Sequence, residues 1–327
     1  MNIGIGILRM FLCFLVITFH YAGNKNQKKY KILNSSFHVP TFMLISFYFS
    51  YKILISNDII KYKKRFQRLL IPYIVWPIIF LAISNFEFSL NSIYIKKLLI
   101  DLLLQYITGY KIMVILWFIQ ILIFFELIFQ IIYFLFKNRS FLIFQILLIL
   151  SYFLQYSEIN YRIFLKYSPH LRAFSHIVEM MPIAITGIIL REINIFEKLS
   201  NFKIKSIIIS IITLFFIYNY NIFGQFRYYY YSGLKQNVAG ICLFVSFSLL
   251  PFNKIQNKII MGFLKSITKY TGGIYYLQAI IYFILSKFEY LSQRPLFICI
   301  MIYIFGYLIC AIFTKLFRNN IFKYLFN

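Results

Sequence analysis

Apolar residues dominate the chain in stretches of about 20, the length an α-helix needs to cross a bilayer. About ten can be read, at roughly 3–21, 37–56, 67–85, 112–136, 140–155, 173–190, 206–223, 236–251, 267–286 and 295–315. The fifth is short. The stretch 94–108 is apolar but broken by Lys96, Lys97 and Asp101, which predicts an interfacial or re-entrant helix instead of a span. No linker separates domains and no internal repeat is visible. The expected fold is all-α: one integral-membrane domain over 1–327, a polytopic bundle of about ten transmembrane helices.

Polar positions inside these stretches matter most, because each is costly in lipid. The first stretch holds Arg9 and His20 with ten residues between them. Eleven steps of about 100° bring the two side chains back to one helix face, about 16 Å apart along the axis. Two readings are open. The pair lines a cavity or meets partners, or Arg9 snorkels at one end while His20 sits at an interface. The third stretch opens on Arg65-Phe-Gln-Arg68, two guanidiniums at i and i+3. They form either a phosphate clamp or an ordinary basic flank. Glu126 falls mid-stretch, where it pairs with a cation, Arg9 being a candidate, or stays neutral and structural. His170 and His176 fall in or near a loop and are expected to be solvated, as is usual there.

Composition agrees with the pattern. Of 327 residues 61% are hydrophobic and 13% charged, against about 25% charged in soluble domains. Mean hydropathy is +0.76. The net charge of +25 comes from Lys and Arg scattered through short loops, with no separate basic domain. That suits anionic lipid or a phosphate-bearing substrate and argues against nucleic acid as a partner. Cys13, Cys242, Cys299 and Cys310 lie in apolar runs without metal-ligand spacing and read as small apolar fillers. The N-terminus lacks a basic flank ahead of its apolar run, so the first stretch is expected to be retained as a span. The bias toward 40 Phe and 28 Tyr hides any aromatic belt.

Loop charge modestly favours both termini in the cytoplasm. Arg9, Arg65 and Arg68 then lie toward the cytoplasmic face, and His20 and His38 toward the outer one.

Three segments occur in the order and spacing of acyltransferase family 3: Arg9-x10-His20, His38-Val-Pro-Thr-Phe-Met-Leu-Ile-Ser46, and Arg65-Phe-Gln-Arg68-Leu-Leu-Ile-Pro72-Tyr73. Leu116-Trp117-Phe118-Ile119, Pro182-Ile-Ala-Ile-Thr-Gly187 and Thr271-Gly-Gly-Ile-Tyr275-Tyr-Leu-Gln278 resemble later motifs of the same family. The chain departs from it twice. Phe47 stands where the family has Gly, and Gln278 where it has His, and Gln cannot carry a proton at neutral pH.

The resemblance implies a membrane O-acyltransferase of the plasma (inner) membrane. Acyl-CoA is the donor substrate, and no cofactor or metal is permanently bound. The acceptor is a hydroxyl of a surface polysaccharide or lipid-linked sugar, with polysaccharide-synthesis proteins as further partners. His20 and Arg9 become the catalytic pair. Imidazole is the natural general base, and Arg9 supplies positive charge where negative charge develops. Arg65 and Arg68 hold coenzyme A phosphates. His38, Trp117, Glu126, Tyr275 and Gln278 are candidate substrate contacts, with an interface histidine the alternative for His38. Two other functions compete: an exporter or flippase of exopolysaccharide or lipid-linked sugar, and a non-catalytic relative. An exporter is expected to show repeat symmetry and broken helices at matching positions, and the sequence shows neither.

Overall fold

Some helices begin where the sequence supplies a side-chain partner for free backbone N–H groups. In the computed structural model, described over residues 2–21, 37–56, 58–84, 92–109, 111–156, 172–219, 233–252, 257–317 and 324–326, every regular element is a helix. The longer ones are α1 (Ile3–Tyr21), α2 (His38–Ile55), α3 (Ile59–Ser84), α4 (Ser92–Thr108), α5 (Trp117–Phe136), α6 (Ser140–Tyr156) and α7 (Arg172–Glu192). They continue through a short α8 (Ile195–Ser200), α9 (Lys203–Asn219), α10 (Leu234–Leu249), α11 (Lys258–Leu285), a one-turn α12 (Glu289–Ser292) and α13 (Pro295–Leu316). Asp58 caps α3: its Oδ1 accepts the Lys61 backbone N–H at 3.0 Å. Its hydrogen bond from the Lys61 side chain holds that carboxyl below its ordinary range. Asn257 caps α11 through the N–H groups of Ile259 and Ile260. Pro295 opens α13, where a missing N–H costs nothing. Asn194, at φ +50°, breaks the chain between α7 and α8.

Each of the ten expected stretches is helical over most of its described residues. Five segments are long and apolar enough to cross a membrane: Ile3–Tyr21, His38–Ile55, Ile59–Ser84, Val114–Phe136 and Pro295–Leu316. The apolar helices at Ser140–Gln155 and Leu234–Leu249 are shorter. α3 and α11 start earlier than the apolar pattern suggests: α3 opens on a Lys-rich stretch (Lys61, Lys63, Lys64), and the first turns of α11 carry lysines spaced along it (Lys258, Lys265, Lys269). The expected interfacial helix is α4, with Lys96, Lys97 and Leu99 exposed and Asp101 3.4 Å from Lys111.

α1 and α2 form the centre. α1 packs on α2, α10, α11 and α13, while α2 packs most extensively on α7 and also on α10 and α5. α1 and α2 run antiparallel, so the Phe19 ring at the end of one lies 5.3 Å from the His38 ring at the start of the other. α11 runs parallel to α1, with the Cys13 thiol directed at the Thr271 carbonyl and the Tyr21 and Tyr282 rings stacked at 4.1 Å. α7 runs alongside α2, where Gly187 permits the closest approach: a Cβ there would lie 2.6 Å from the Leu44 carbonyl oxygen. All four cysteines are buried free thiols, as fillers should be.

Candidate active site

His20, His38, Trp117 and Tyr275 meet at one end of the bundle. With Val16, Val39, Phe42 and Phe118 they line a narrow pocket with a cavity volume of about 10 Å³. Helix ends deliver three of them: His20 stands in the last turn of α1, His38 opens α2 and Trp117 opens α5. Tyr275 comes from the middle of α11, and its hydroxyl donates to the Ile115 carbonyl just ahead of Trp117. The buried Gln105 of α4 fixes the same approach, its Oε1 accepting from the N–H of Ile112 at 2.6 Å and of Met113 at 2.9 Å. Phe19 separates the two imidazoles, with ring centres 5.5 Å from His20 and 5.3 Å from His38. The volume is that of about one water, so what marks this place is its lining: two imidazoles, an indole and a phenol brought to one point.

A second polar cluster lies deeper along the same helices, about 16 Å from His20 by the rise of α1. Its centre is Glu126 of α5, 1% exposed. Glu126 Oε1 accepts from Arg65 Nε at 2.7 Å and from Ser50 Oγ at 2.6 Å. Arg65 Nη2 also reaches Ser46 Oγ at 3.1 Å. The partner of Glu126 is therefore Arg65, not Arg9. Arg9 sits half-buried nearby, within electrostatic reach of Arg65. The Glu126 carboxylate is thus engaged by Arg65, with Arg9 a second cation near that guanidinium. Arg68 diverges from Arg65 despite the i, i+3 spacing: it is exposed, 5.9 Å from the centre of the Tyr324 ring.

The two departures from the family pattern fall in different places. Phe47 packs into the aromatic core beside Glu126, 6.0 Å from Phe125 and 5.1 Å from Phe129, and does not reach the pocket. Gln278, one turn beyond Tyr275, is 0% exposed, and among the described residues neither its Nε2 nor its Oε1 has a hydrogen-bond partner.

His176 corrects a sequence expectation. It is not solvated but 6% exposed, on α7. Its Nδ1 lies 2.5 Å from Oε2 of the equally buried Glu179, and its ring lies 4.5 Å from the Trp117 ring. The i, i+3 spacing of His176 and Glu179 was visible in the sequence, but the match to Trp117 was not. His170 lies outside the described residues.

The family model of an acyltransferase domain, acyltransferase 3, matches residues 2–323. The chain belongs to acyltransferase family 3. No curated protein and no solved structure matches it significantly. Membership makes this acyltransferase-3 protein a membrane acyltransferase by class, and the apolar helices agree with an integral membrane protein.

Proposed function

We propose that this family member moves an acyl group, acetyl or another short chain, from acyl-coenzyme A to a hydroxyl of a surface polysaccharide or lipid-linked sugar. The observation that carries the reading is the pocket, where His20 and His38 face one space with Trp117 and Tyr275. His20 takes the proton of the acceptor hydroxyl as that oxygen attacks the thioester carbonyl. The carbon–sulfur bond then breaks, and the departing thiolate receives the proton. The new product is an ester plus coenzyme A. His38 assists or orients His20, and Gln278 offers an unmet amide to the bound substrate. Arg9 supplies positive charge to the donor, and Arg65 and Arg68 hold its phosphates. In this reading the bundle has ten spans in the plasma membrane, with both termini in the cytoplasm.

His20→Ala tests it. Loss of general-base help should slow transfer by about 10²–10⁴-fold while the protein remains folded and inserted. The readout is acyl content of the surface glycan by mass spectrometry. Wild-type acylation in cells carrying His20→Ala would overturn the reading.

A further inference from the structure

Arg65 is held in place by its own protein. Its Nε donates to Glu126 Oε1 at 2.7 Å, and its Nη2 lies 2.5 Å from the same oxygen. Nη2 also donates to Ser46 Oγ at 3.1 Å and to the Ser46 carbonyl at 3.3 Å. Ser50 Oγ, donating to Glu126 Oε1 at 2.6 Å, fixes the carboxylate in turn. Residues of α2 and α5 thus engage Nε and Nη2 of an α3 guanidinium. Among the described residues nothing accepts from its Nη1, and the side chain is 20% exposed. Arg68, by contrast, is exposed, with its guanidinium 5.9 Å from the centre of the Tyr324 ring.

Such a pair is a poor way to hold a bundle together. Glu126 is 1% exposed, and its Oε2 has no hydrogen-bond partner among the described residues. Burying a carboxylate costs about as much as its pairing gains, and packed apolar side chains of the same volume often stabilise as well or better. What the carboxylate supplies is direction. An unheld arginine samples many rotamers and loses them when an anion binds, whereas a pinned one has less to lose. A pinned planar fork also presents its remaining N–H groups at a fixed angle, and phosphate recognition by arginine depends on that angle. Arg9 is a second cation near this guanidinium, which favours an anion there.

We infer that Glu126 and Ser46 are positioning residues for the donor: they hold the Arg65 guanidinium in one orientation, so that Nη1 meets a phosphate of coenzyme A. The inference rests on the acyl-transfer reading for the identity of the anion, because that reading gives Arg65 to the donor's phosphates. Glu126 and Ser46 do not touch the donor. They act through Arg65.

The test is calorimetric titration of the detergent-solubilised full chain with coenzyme A, with the unliganded thermal midpoint recorded for each variant. No acceptor is needed. Glu126→Ala should weaken coenzyme A binding about tenfold, the scale of the ordering that Arg65 must then undergo on binding. Glu126→Gln keeps an oxygen for Arg65 and Ser50 and puts its amide nitrogen where Oε2 has no partner among the described residues. Its Kd should stay within about twofold of wild type, which a change of orientation would not allow. Ser46→Ala leaves Glu126 in place and removes one contact, so it should weaken binding about three- to fivefold, and it decides the matter if Glu126→Ala does not fold. A purely structural role would lower the thermal midpoints and leave the Kd of the folded variants unchanged, and that result would overturn the inference. So would a Glu126→Gln variant as weak as Glu126→Ala, because Arg65 would then need the charge and not the orientation. If the wild type does not bind coenzyme A, the donor reading fails and the inference falls with it. Wild-type binding with unaltered variants rejects the inference alone.

Discussion

Single side chains show best where reading residues in order succeeds. Arg9 and His20 declare their shared face through spacing alone, and the structure places His20 in the pocket wall. Glu126 does not declare its partner. A carboxylate in mid-helix has several cations within reach of imagination, and only the crossing of α3, α2 and α5 selects Arg65 with Ser50 and Ser46. His176 was misjudged for a related reason. Apolar patterning thins out around it, and of the side chains it packs against, Glu179 is near in sequence but Trp117 is far away. The Glu126 arrangement has a testable cost. Glu126→Ala leaves Arg65 and Arg9 as neighbouring cations without a counter-charge, and breaking a buried pair from one side destabilises by about 3 kcal/mol. Glu126→Gln, which still accepts from Arg65 and Ser50, should lose less. Thermal unfolding in detergent measures both, and a wild-type midpoint for Glu126→Ala would refute the pairing.

Elements were legible in position more than in extent. Over the described residues the expected stretches are largely helical, because a run of apolar residues in lipid must satisfy its own backbone. The ends were not legible, since α3 and α11 extend beyond the apolar runs through lysine-bearing turns to caps at Asp58 and Asn257. Helix pairing was invisible as well, apart from small residues that permit it. Gly187 is the case to test. A Cβ there would meet the Leu44 carbonyl at 2.6 Å and the Tyr48 nitrogen at 3.1 Å, both backbone atoms that cannot swing aside. Gly187→Ala should therefore force α7 off α2 and cost about 1–3 kcal/mol. Gly262 of α11 is the control, because a Cβ there meets nothing within 4 Å. Gly262→Ala should be neutral or gain up to about 1 kcal/mol from helix propensity. Equal melting temperatures for the two variants would contradict the packing described.

At the scale of the whole molecule, exposed lysines occur toward the Arg65 end (Lys61, Lys63 and Lys64 on α3, Lys137 after α5, Lys198 and Lys203 around α8, and Lys258 on α11) and away from it as well (Lys96 and Lys97 on α4, Lys111 and Lys287), with only a modest excess near Arg65. Positive charge at one rim orients a membrane protein with that rim in the cytoplasm. Reporter fusions at Asn24, Asn138 and Asn327 should read outside, inside and inside; an external C-terminus would reverse the placement of His20. One further consequence concerns α1, which carries Arg9 in the charged cluster and His20 in the pocket on a single stiff rod. The rod is a ruler. Its two marks stand about 16 Å apart, and a donor gripped at one mark must present its thioester at the other. Acetyl-S-N-acetylcysteamine has the same reacting bond as acetyl-coenzyme A but is too short to touch both marks. It should react slowly even at saturation, because the remote grip that aligns the thioester is missing. Equal kcat for the short and full-length donors would mean that the helix measures nothing.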